Sequence, residues 1–306
     1  MRRALAITLA LLMVLALAAC GESSAPAAAP TEAPAAETPA AEAPAAEEAA
    51  VESGVEDGIL TIAMECAYAP YNWTQGDDSN GAVPIKDSNG EYANGYDVMM
   101  AKKICEANGW ELEVIKADWD SLVPGVQSRT YDAVIAGQSM TPERSEQVDF
   151  AGPYLYATIV CLTLADSPYA SAKGLNDLAG GSCTSQSATI WYDTMLPQIP
   201  DANIQPAAES APAMLMALET GTVDFVCTDM PTALGAVQAY PDMVLLDFAG
   251  SDNDFVADDG DINIGVSVFK GNTVLLDAIN AVLQPMTADD FNAMMDAAIA
   301  VQPSEA

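Results

Sequence analysis

The sequence predicts an α/β protein built from two lobes. From Ile59 onward, short apolar runs with the character of strands alternate with segments that show helical spacing. Such alternation is typical of largely parallel sheets covered by helices. The predicted folded portion, 57–306, is long for a single sheet, and chains of this length more often divide into two compact parts.

The first half of the folded portion begins with a strand and alternates from there. Gly109 and Thr141 mark helix boundaries, because glycine commonly follows the last turn of a helix and threonine is a good N-cap. Pro142 then suits the first helical position. The predicted order is strand 59–64, helix 96–109, strand 112–117, short helix 119–128, strand 131–137 and helix 141–147.

The second half repeats the alternation. The segment 211–221 is amphipathic and stops at a glycine, and the apolar run 223–229 ends in an aspartate. The predicted strands are 159–165, 181–185, 223–229, 243–248 and 262–270, and the predicted helices are 175–180, 188–196, 211–221, 230–240, 273–284 and 287–301.

The N-terminus has the pattern of a lipoprotein leader. The basic residues of "MRR" precede an apolar stretch that is shorter than the roughly 20 residues of a membrane-spanning helix. The stretch ends in "LALAAC", which looks like a bacterial lipobox, so 1–19 is predicted to be a signal peptide and Cys20 a lipidated residue that anchors the chain to the membrane. An ordinary cleavable signal with an incidental cysteine is the alternative. Residues 20–56, rich in alanine, proline and glutamate, are predicted to form a disordered spacer.

The composition excludes several classes of function. The chain has 44 acidic and 10 basic residues, a net charge of −34, which disfavours nucleic-acid binding. Histidine is absent, which excludes Ser-His or Cys-His catalysis and histidine-ligated metals, so no cofactor and no metal site is predicted. Five cysteines follow Cys20 without a CxxC motif; buried free thiols are predicted, although one disulfide stays possible.

Arg144 is an unusual residue for its position. Beyond the first three residues the chain has arginine only at positions 129 and 144. Arg144 falls in the first turn of the predicted helix 141–147, where a cation is disfavoured by the helix dipole unless an anion is held there. A guanidinium beside free backbone N–H groups suits a carboxylate. The alternative is a surface arginine paired with Glu143, Glu146 or Asp149.

Five motifs in register resemble a known family. From about Ile59 to Ala300 the chain is similar to the extracellular solute-binding proteins of family 3, which serve amino-acid ABC importers. The motifs are "AYAPY" (67–71), "GYDVMMAKKI" (95–104), "WDSLVPGVQSRTYDAVIAG" (119–137), "TPERSEQVDFAGPY" (141–154) and "VDFVCTD" (223–229). The resemblance implies a two-lobed, periplasmic-binding-protein-like (type II) fold with a ligand cleft between the lobes. It places lobe 1 at 57–157 and 261–306, and lobe 2 at 158–260.

The resemblance also implies a ligand site. Arg144 would hold the α-carboxylate of an amino acid and Asp229, at the end of its strand, the α-ammonium group. The other implied site residues are Tyr68 and Trp119 beside the ligand's side chain, Glu65 facing that side chain, the backbone at Ser139 and Thr189 beside the carboxylate, and Tyr71 and Ala136 as lining residues. Tyr68 and Trp119 as core aromatics, and Glu65 as a solvent-facing carboxylate, are the alternatives.

Three positions depart from the family pattern. Ala188 stands where the family usually has glycine, and the register there is uncertain by one residue. Met99 stands where an acid is frequent, and segment 74–93 is longer than the usual turn, forming either a flap or a surface excursion.

The resulting expectation is a lipoprotein that captures an amino acid, polar or basic by preference, and delivers it to the permease subunits of an ABC importer. It would be extracytoplasmic, lipid-anchored to the bacterial cell membrane and not an enzyme. The alternatives are an enzyme that resembles cyclohexadienyl or arogenate dehydratase on the same scaffold, and a ligand-sensing domain.

Overall fold

The computed structural model describes residues 52–303. The predicted signal peptide, Cys20 and the predicted spacer up to residue 51 therefore lie outside the described residues. Ser53 accepts a hydrogen bond on its carbonyl oxygen from Asn272 Nδ2 (2.9 Å), and Val55 packs against the core. The helices found between residues 52 and 303 are all too short or too polar to cross a bilayer.

The described chain alternates strands and helices. The strands are Ile59–Met64 (β1), Ala67–Tyr68 (β2), Asn72–Gln75 (β3), Val83–Pro84 (β4), Tyr92–Asn94 (β5), Glu111–Lys116 (β6), Ala133–Val134 (β7), Val148–Tyr156 (β8), Ile159–Leu164 (β9), Ser182–Thr184 (β10), Asn203–Ile204 (β11), Phe225–Asp229 (β12), Met243–Leu246 (β13) and Asn263–Phe269 (β14). The α-helices are Tyr96–Asn108 (α1), Leu122–Gln127 (α2), Pro142–Gln147 (α3), Ala211–Glu219 (α4), Met230–Ala239 (α5), Asp259–Ile262 (α6), Thr273–Leu283 (α7) and Ala288–Ile299 (α8).

The first large sheet has the order β6-β1-β7-β14-β8. β1 pairs in parallel with β6 and β7, whereas β14 pairs antiparallel with β7 and β8. Helices α1, α7 and α8 pack against this sheet and one another, and the apolar side chains of β1 and β14 are largely buried. We call this sheet and its helices lobe 1.

The second large sheet has the order β11-β10-β12-β9-β13. β12 is buried at every position, pairs in parallel with β10 and antiparallel with β9, and is flanked by α4 and α5. We call this sheet and its helices lobe 2. The chain enters lobe 2 between β8 and β9 and returns to lobe 1 between β13 and β14, so two segments connect the lobes.

The long segment 74–93 forms part of a third, small sheet. Strands β2 to β5 pair in the order β2-β3-β5-β4, and Ile85 bridges to Val114 of β6. Lys102 of α1 donates to the carbonyl of Gly81 (2.9 Å). The segment is thus a surface excursion that packs against lobe 1.

Several elements differ from the sequence-based expectation, and the short strands β2 to β5 and β11 and the helix α6 were not predicted. β8 was not predicted, because Gly152 and Pro153 in its middle are typical of a turn; the ladder to β14 is irregular at this point, and a bulge tolerates proline. The predicted helix 188–196 is instead a single π-helical turn over Trp191–Met195 followed by a 3₁₀ turn. All five cysteines of the described chain are free and buried, as predicted.

Candidate functional site

The loops that follow β1, β7 and β10, together with the end of β12, meet where the lobes touch. Open α/β sheets place ligands beyond the carboxyl ends of their strands. A small cavity lies here, lined by Tyr68, Trp119, Gly137, Ser139, Arg144, Gln186, Thr189, Ile190 and Trp191. Five of these were predicted site residues, and Gly137, Gln186, Ile190 and Trp191 were not.

Arg144 lies at one end of this cavity. Thr141 caps α3 by accepting from the backbone N–H of Arg144 (3.3 Å), which places Arg144 in the first turn. The guanidinium donates to two carbonyl oxygens, that of Ser139 (3.0 Å) in lobe 1 and that of Ala188 (2.9 Å) in lobe 2. It also lies 5.3 Å from the ring centroid of Trp119, a cation–π distance.

Arg144 has no carboxylate partner. The two salt bridges within residues 52–303 join Lys86 to Glu113 and Lys270 to Asp149, so the alternative pairing of Arg144 with Asp149 is not present. Burial lowers the pKa of Arg144 to about 10, an effect that nearby Glu143 and Asp193 partly oppose. The half-buried guanidinium is therefore partly removed from water without a hydrogen-bonded carboxylate partner.

Asp229 lies in lobe 2 and bonds to lobe 1 through Tyr68, which lines the cavity, but Asp229 itself does not line it. It is 1% exposed, ends β12 and caps α5, because Oδ1 accepts from the backbone N–H of Thr232 (2.9 Å). Oδ2 accepts from the hydroxyls of Tyr71 (2.8 Å) and Tyr68 (3.2 Å) of lobe 1. Burial raises the pKa of Asp229, and the hydrogen bonds from Thr232, Tyr71 and Tyr68 oppose that rise.

The second acid near β12, Asp224, has a local role. Its Oδ2 accepts from the backbone N–H (2.8 Å) and the hydroxyl (2.7 Å) of Ser182 in β10. Asp224 thus ties two strands of lobe 2 together and does not reach lobe 1.

Glu65, directly after β1, is a buried carboxylate. It is 7% exposed, so the alternative of a solvent-facing carboxylate is wrong. Oε1 accepts a long hydrogen bond from Gln186 Nε2 of lobe 2 (3.3 Å), whereas Oε2 has no hydrogen-bond partner. Burial raises the pKa of Glu65 to about 7; the Gln186 bond opposes the rise, and the charges of Asp118 and Asp120 add to it.

The aromatic rings of Tyr68, Tyr71 and Trp191 pack together at the contact between the lobes. The ring centroids of Tyr68 and Tyr71 are 4.7 Å apart with an interplanar angle of 12°, and those of Tyr68 and Trp191 are 6.2 Å apart. Gly137 permits this packing, because its φ is +64° and a Cβ there would lie 2.9 Å from Tyr68 Cε1. Ala136 is fully buried beside Gly137 and does not line the cavity.

The lobes are closed on each other in this conformation. The cavity volume is only about 10 Å³, which is room for roughly one water molecule. A wider groove of about 610 Å³ adjoins it and shares Trp119, Arg144, Thr189 and Ile190. Groups predicted to hold a ligand therefore bond to one another across the lobes, and a larger molecule can enter only if the lobes separate.

Ala188 and Thr189 form the turn that faces Arg144. Ala188 has φ +53°, a left-handed conformation that favours glycine, which is consistent with the glycine expected there from the resemblance. Thr189 is 6% exposed and donates its hydroxyl hydrogen to the carbonyl of Gln186 (2.7 Å).

Gln186 and Trp191 were missed in the sequence. Gln186 lies two residues beyond the end of β10 and could have been found by the same strand-end argument that found Asp229. Trp191 lies in the segment predicted as a regular helix, and helical spacing carries no signal for a side chain placed by a π turn.

Comparison with known proteins agrees with this architecture. The sequence profile described as "Bacterial extracellular solute-binding proteins, family 3" matches residues 60–297. The "ABC transporter arginine-binding protein 1" of Escherichia coli (strain K12) is 27% identical over 195 residues, 64% of this chain and 76% of that protein.

Solved structures show the same fold. A substrate-binding protein of an amino-acid ABC transporter from Streptococcus pneumoniae, bound to L-arginine, superposes with a TM-score of 0.70 at 23% identity, covering 82% of this chain and 99% of that one. An ancestral amino-acid-binding protein, described as a precursor of cyclohexadienyl dehydratase, superposes with a TM-score of 0.64 at 25% identity, covering 80% and 97%. The predicted two-lobed fold class is thereby confirmed.

Proposed function

The chain belongs to the bacterial extracellular solute-binding proteins, family 3, and from this premise we propose that it binds a free amino acid between its lobes and delivers it to the membrane subunits of an ABC importer. The observation that carries the proposal is the pair of uncompensated charges at the lobe contact. Arg144 lies without a carboxylate partner on one side and Asp229 without a cation on the other.

A zwitterion suits both charges. A buried charge is stable only when it is paired and hydrogen-bonded, and the bonds to Arg144 and Asp229 come from neutral groups. An α-carboxylate placed on Arg144 could accept two N–H bonds in fork geometry, and an α-ammonium group placed on Asp229 would supply the missing cation. One of the hydroxyls of Tyr68 and Tyr71 would then give up its hydrogen bond to Asp229 Oδ2, and the ammonium group would donate there instead.

Glu65 extends the proposal to the ligand's side chain. Its Oε2 is buried and unpaired, and Tyr68 and Trp191 present aromatic faces nearby. A guanidinium, ammonium or amide group could donate to this oxygen while its stem packs on the rings. We therefore favour a basic or amide amino acid, and the names of relatives such as the arginine-binding protein of Escherichia coli point the same way.

The proposal includes an attachment to the membrane. Residues 1–19 would direct export, Cys20 would carry the lipid, and the spacer predicted at 20–56 would hold the lobes away from the bilayer up to the point where Ser53 and Val55 join lobe 1. The two connecting segments would act as hinges between lobe 1 (57–157 and 261–306) and lobe 2 (158–260), which makes the protein extracytoplasmic and lipid-anchored.

A dehydratase on the same scaffold is the second candidate. The observation that favours it is Glu65, because a buried carboxyl group with a pKa near 7 is suited to general acid catalysis. Incubation with prephenate or arogenate and detection of the dehydrated product separates the candidates. We expect no turnover, and measurable product formation would contradict the binding-protein proposal.

The binding proposal is tested with a panel of the twenty amino acids. The chain from Gly21 onward is stripped of co-purifying ligand by unfolding and refolding, and its thermal unfolding is followed with each amino acid. A ligand at a thousandfold excess over Kd stabilises the native state by about 4 kcal/mol. If none of the twenty changes the unfolding temperature, the proposed function is wrong.

Arg144→Ala tests the proposed clamp, with Arg129→Ala as the matched control. Arg129 is exposed and lies over the ring of Phe269 (4.1 Å), and each variant removes one arginine from lobe 1. We expect Arg144→Ala to abolish detectable binding, because the ligand's carboxylate would be buried unpaired at a cost of about 3–5 kcal/mol. Arg129→Ala should bind like the wild type, and normal binding by Arg144→Ala would remove the clamp assignment.

A further inference from the structure

We propose that Asp97, in the first turn of α1, is a positioning residue that fixes the two cleft loops of lobe 1 relative to each other. These loops are residues 65–72, which carry Tyr68 and Tyr71, and residues 136–139. Asp97 is 0% exposed and does not touch the cavity, so the proposed ligand contacts leave it without a role. The inference rests on the proposed function only in assuming that these two loops contact the ligand.

One oxygen of Asp97 holds the first loop. Oδ2 accepts from Asn72 Nδ2 (2.7 Å), and Asn72 Oδ1 in turn accepts from the backbone N–H of Cys66 (2.7 Å). Asn72 thus closes the loop on itself, and its orientation is set by Asp97. The backbone adds to this, because Asp97 N–H donates to the carbonyl of Tyr71 (2.8 Å).

The other oxygen holds the second loop. Oδ1 accepts from the hydroxyl of Tyr154 (2.7 Å), and that hydroxyl accepts from the backbone N–H of Gly137 (3.0 Å). Gly137 lies directly against the ring of Tyr68, since an added Cβ would approach Tyr68 Cε1 to 2.9 Å. The second arm therefore ends beside the ring of Tyr68, a residue of the loop that the first arm holds.

The arrangement specifies one geometry. Each arm is a relay in which a side chain both donates and accepts, so neither relay can be reversed without placing two donors or two acceptors together. The carboxylate lies at the N-terminal end of α1, where the helix dipole favours a negative charge. The salt bridges within residues 52–303 lie elsewhere, so Asp97 is stabilised by these directional hydrogen bonds and not by a cation.

Exchanging the two side chains of the first arm provides the test. Asp97→Asn leaves one acceptor for two donors: its N–H₂ faces either Asn72 Nδ2 or the Tyr154 hydroxyl, so one arm loses its bond, and flipping Asn72 only moves the conflict to the N–H of Cys66. Asn72→Asp sets two carboxylates face to face. The double variant restores every bond, since the new carboxylate at 72 accepts from Cys66 and from the new amide at 97, whose oxygen still accepts from Tyr154.

The matched control is Asp132→Asn. Asp132 is also in lobe 1, and its carboxylate accepts from the backbone N–H of Thr61 (2.8 Å), but it does not bond to either cleft loop. Asp132→Asn therefore reports the general effect of neutralising a structural carboxylate in this lobe.

Two measurements are made on each variant. Amide hydrogen exchange of the ligand-free protein is followed in peptides that cover 65–72 and 136–139, and the affinity for L-arginine is measured by calorimetry. We expect each single variant at 72 or 97 to speed exchange in the cleft loops and to raise Kd about tenfold, within the range of coupled contacts. The double variant should return within about threefold of the wild type, and Asp132→Asn should change neither readout.

Each outcome decides the inference. Wild-type exchange in both loops of Asp97→Asn, a double variant as impaired as the single ones, or the same effect from Asp132→Asn would overturn it. If Asp97→Asn does not fold, Tyr154→Phe removes the second arm alone, and unchanged exchange at 136–139 in that variant overturns the inference. If the wild type binds none of the twenty amino acids, the proposed function fails, while the exchange data still decide the role of Asp97.

Discussion

The buried carboxyl group of Glu65 predicts a measurable dependence of stability on pH. Its pKa is about 7 in the folded protein against an ordinary value of 4.5, so the folded state binds its proton more tightly than the unfolded state. Stability then falls as the pH rises from 4.5 to 7 and levels off above 7, because deprotonation leaves a buried charge without a cation. Between pH 5 and pH 8 this one group destabilises the fold by about 2.5 kcal/mol.

Glu65→Gln removes this contribution. The amide introduces its own cost, an unpaired donor in place of the unpaired Oε2, but that cost is the same at both pH values and cancels in the difference. Acids that do not interact with Glu65 contribute equally to both proteins and also cancel, whereas the repulsion between Glu65 and Asp118, Asp120 and Asp97 is part of the difference that is measured. The wild type should therefore lose about 2.5 kcal/mol more than Glu65→Gln between pH 5 and pH 8.

The assay is urea unfolding of the ligand-free protein at both pH values. Glu111→Gln, at an exposed position in the same lobe, is the control and should keep the wild-type difference. If Glu65→Gln shows the same loss between pH 5 and pH 8 as the wild type, Glu65 does not carry a raised pKa. The inference that its unpaired oxygen awaits a cationic or donor group would then lose its support.

Two further substitutions test the contact between the lobes. Ala188→Gly should stabilise the protein by about 1 kcal/mol in urea unfolding, because the left-handed φ of +53° favours glycine. The control Ala179→Gly, at a φ of −53°, should destabilise the protein by about 0.5–1 kcal/mol. Equal effects of the two substitutions would show that Ala188 is unstrained. Gly235→Ala would place a Cβ 3.2 Å from Pro70 Cδ and 2.8 Å from Gln302 Oε1, both of lobe 1. We therefore expect the Kd for L-arginine, measured by calorimetry, to rise about tenfold with no loss of ligand-free stability. An unchanged Kd would show that α5 does not approach lobe 1 this closely when ligand is bound.

Much of the fold could be predicted because its elements carry local signals. β12 begins with an apolar run that ends in an aspartate, and α1 is followed by Gly109, whose φ of +71° is the left-handed conformation expected of a glycine stop. β8 could not be predicted in this way. Its Gly152 and Pro153 read locally as a turn, and only the pairing with β14, more than a hundred residues later, makes them a bulge within a strand.

Sequence reasoning was most specific for the candidate site where one residue type has few alternative uses. Arg144 was singled out by its position at a helix N-terminus, and the structure places it beside Trp119 without a carboxylate partner; its role as the clamp on a ligand's carboxylate stays a prediction. Its contact with the carbonyl of Ala188 was not predictable, because it joins two lobes through a backbone atom. Gln186 could be suspected from its place near a strand end, but its hydrogen bond to Glu65 on the other lobe could not be predicted.

The contacts between the lobes explain how a ligand could control closure. Tyr68, Tyr71 and Gln186 hold the closed form with hydrogen bonds from neutral donors, while Asp229 and Glu65 are buried and Arg144 is half-buried without a salt-bridge partner. Closure without a ligand thus gains a few modest bonds and bears the cost of two buried acids and one partly desolvated arginine. On the proposed function, a molecule that carries a carboxylate, an ammonium group and a donor on its side chain compensates all three at once. A molecule with only one of these groups leaves the others uncompensated, so the lobes would discriminate by charge pattern before shape.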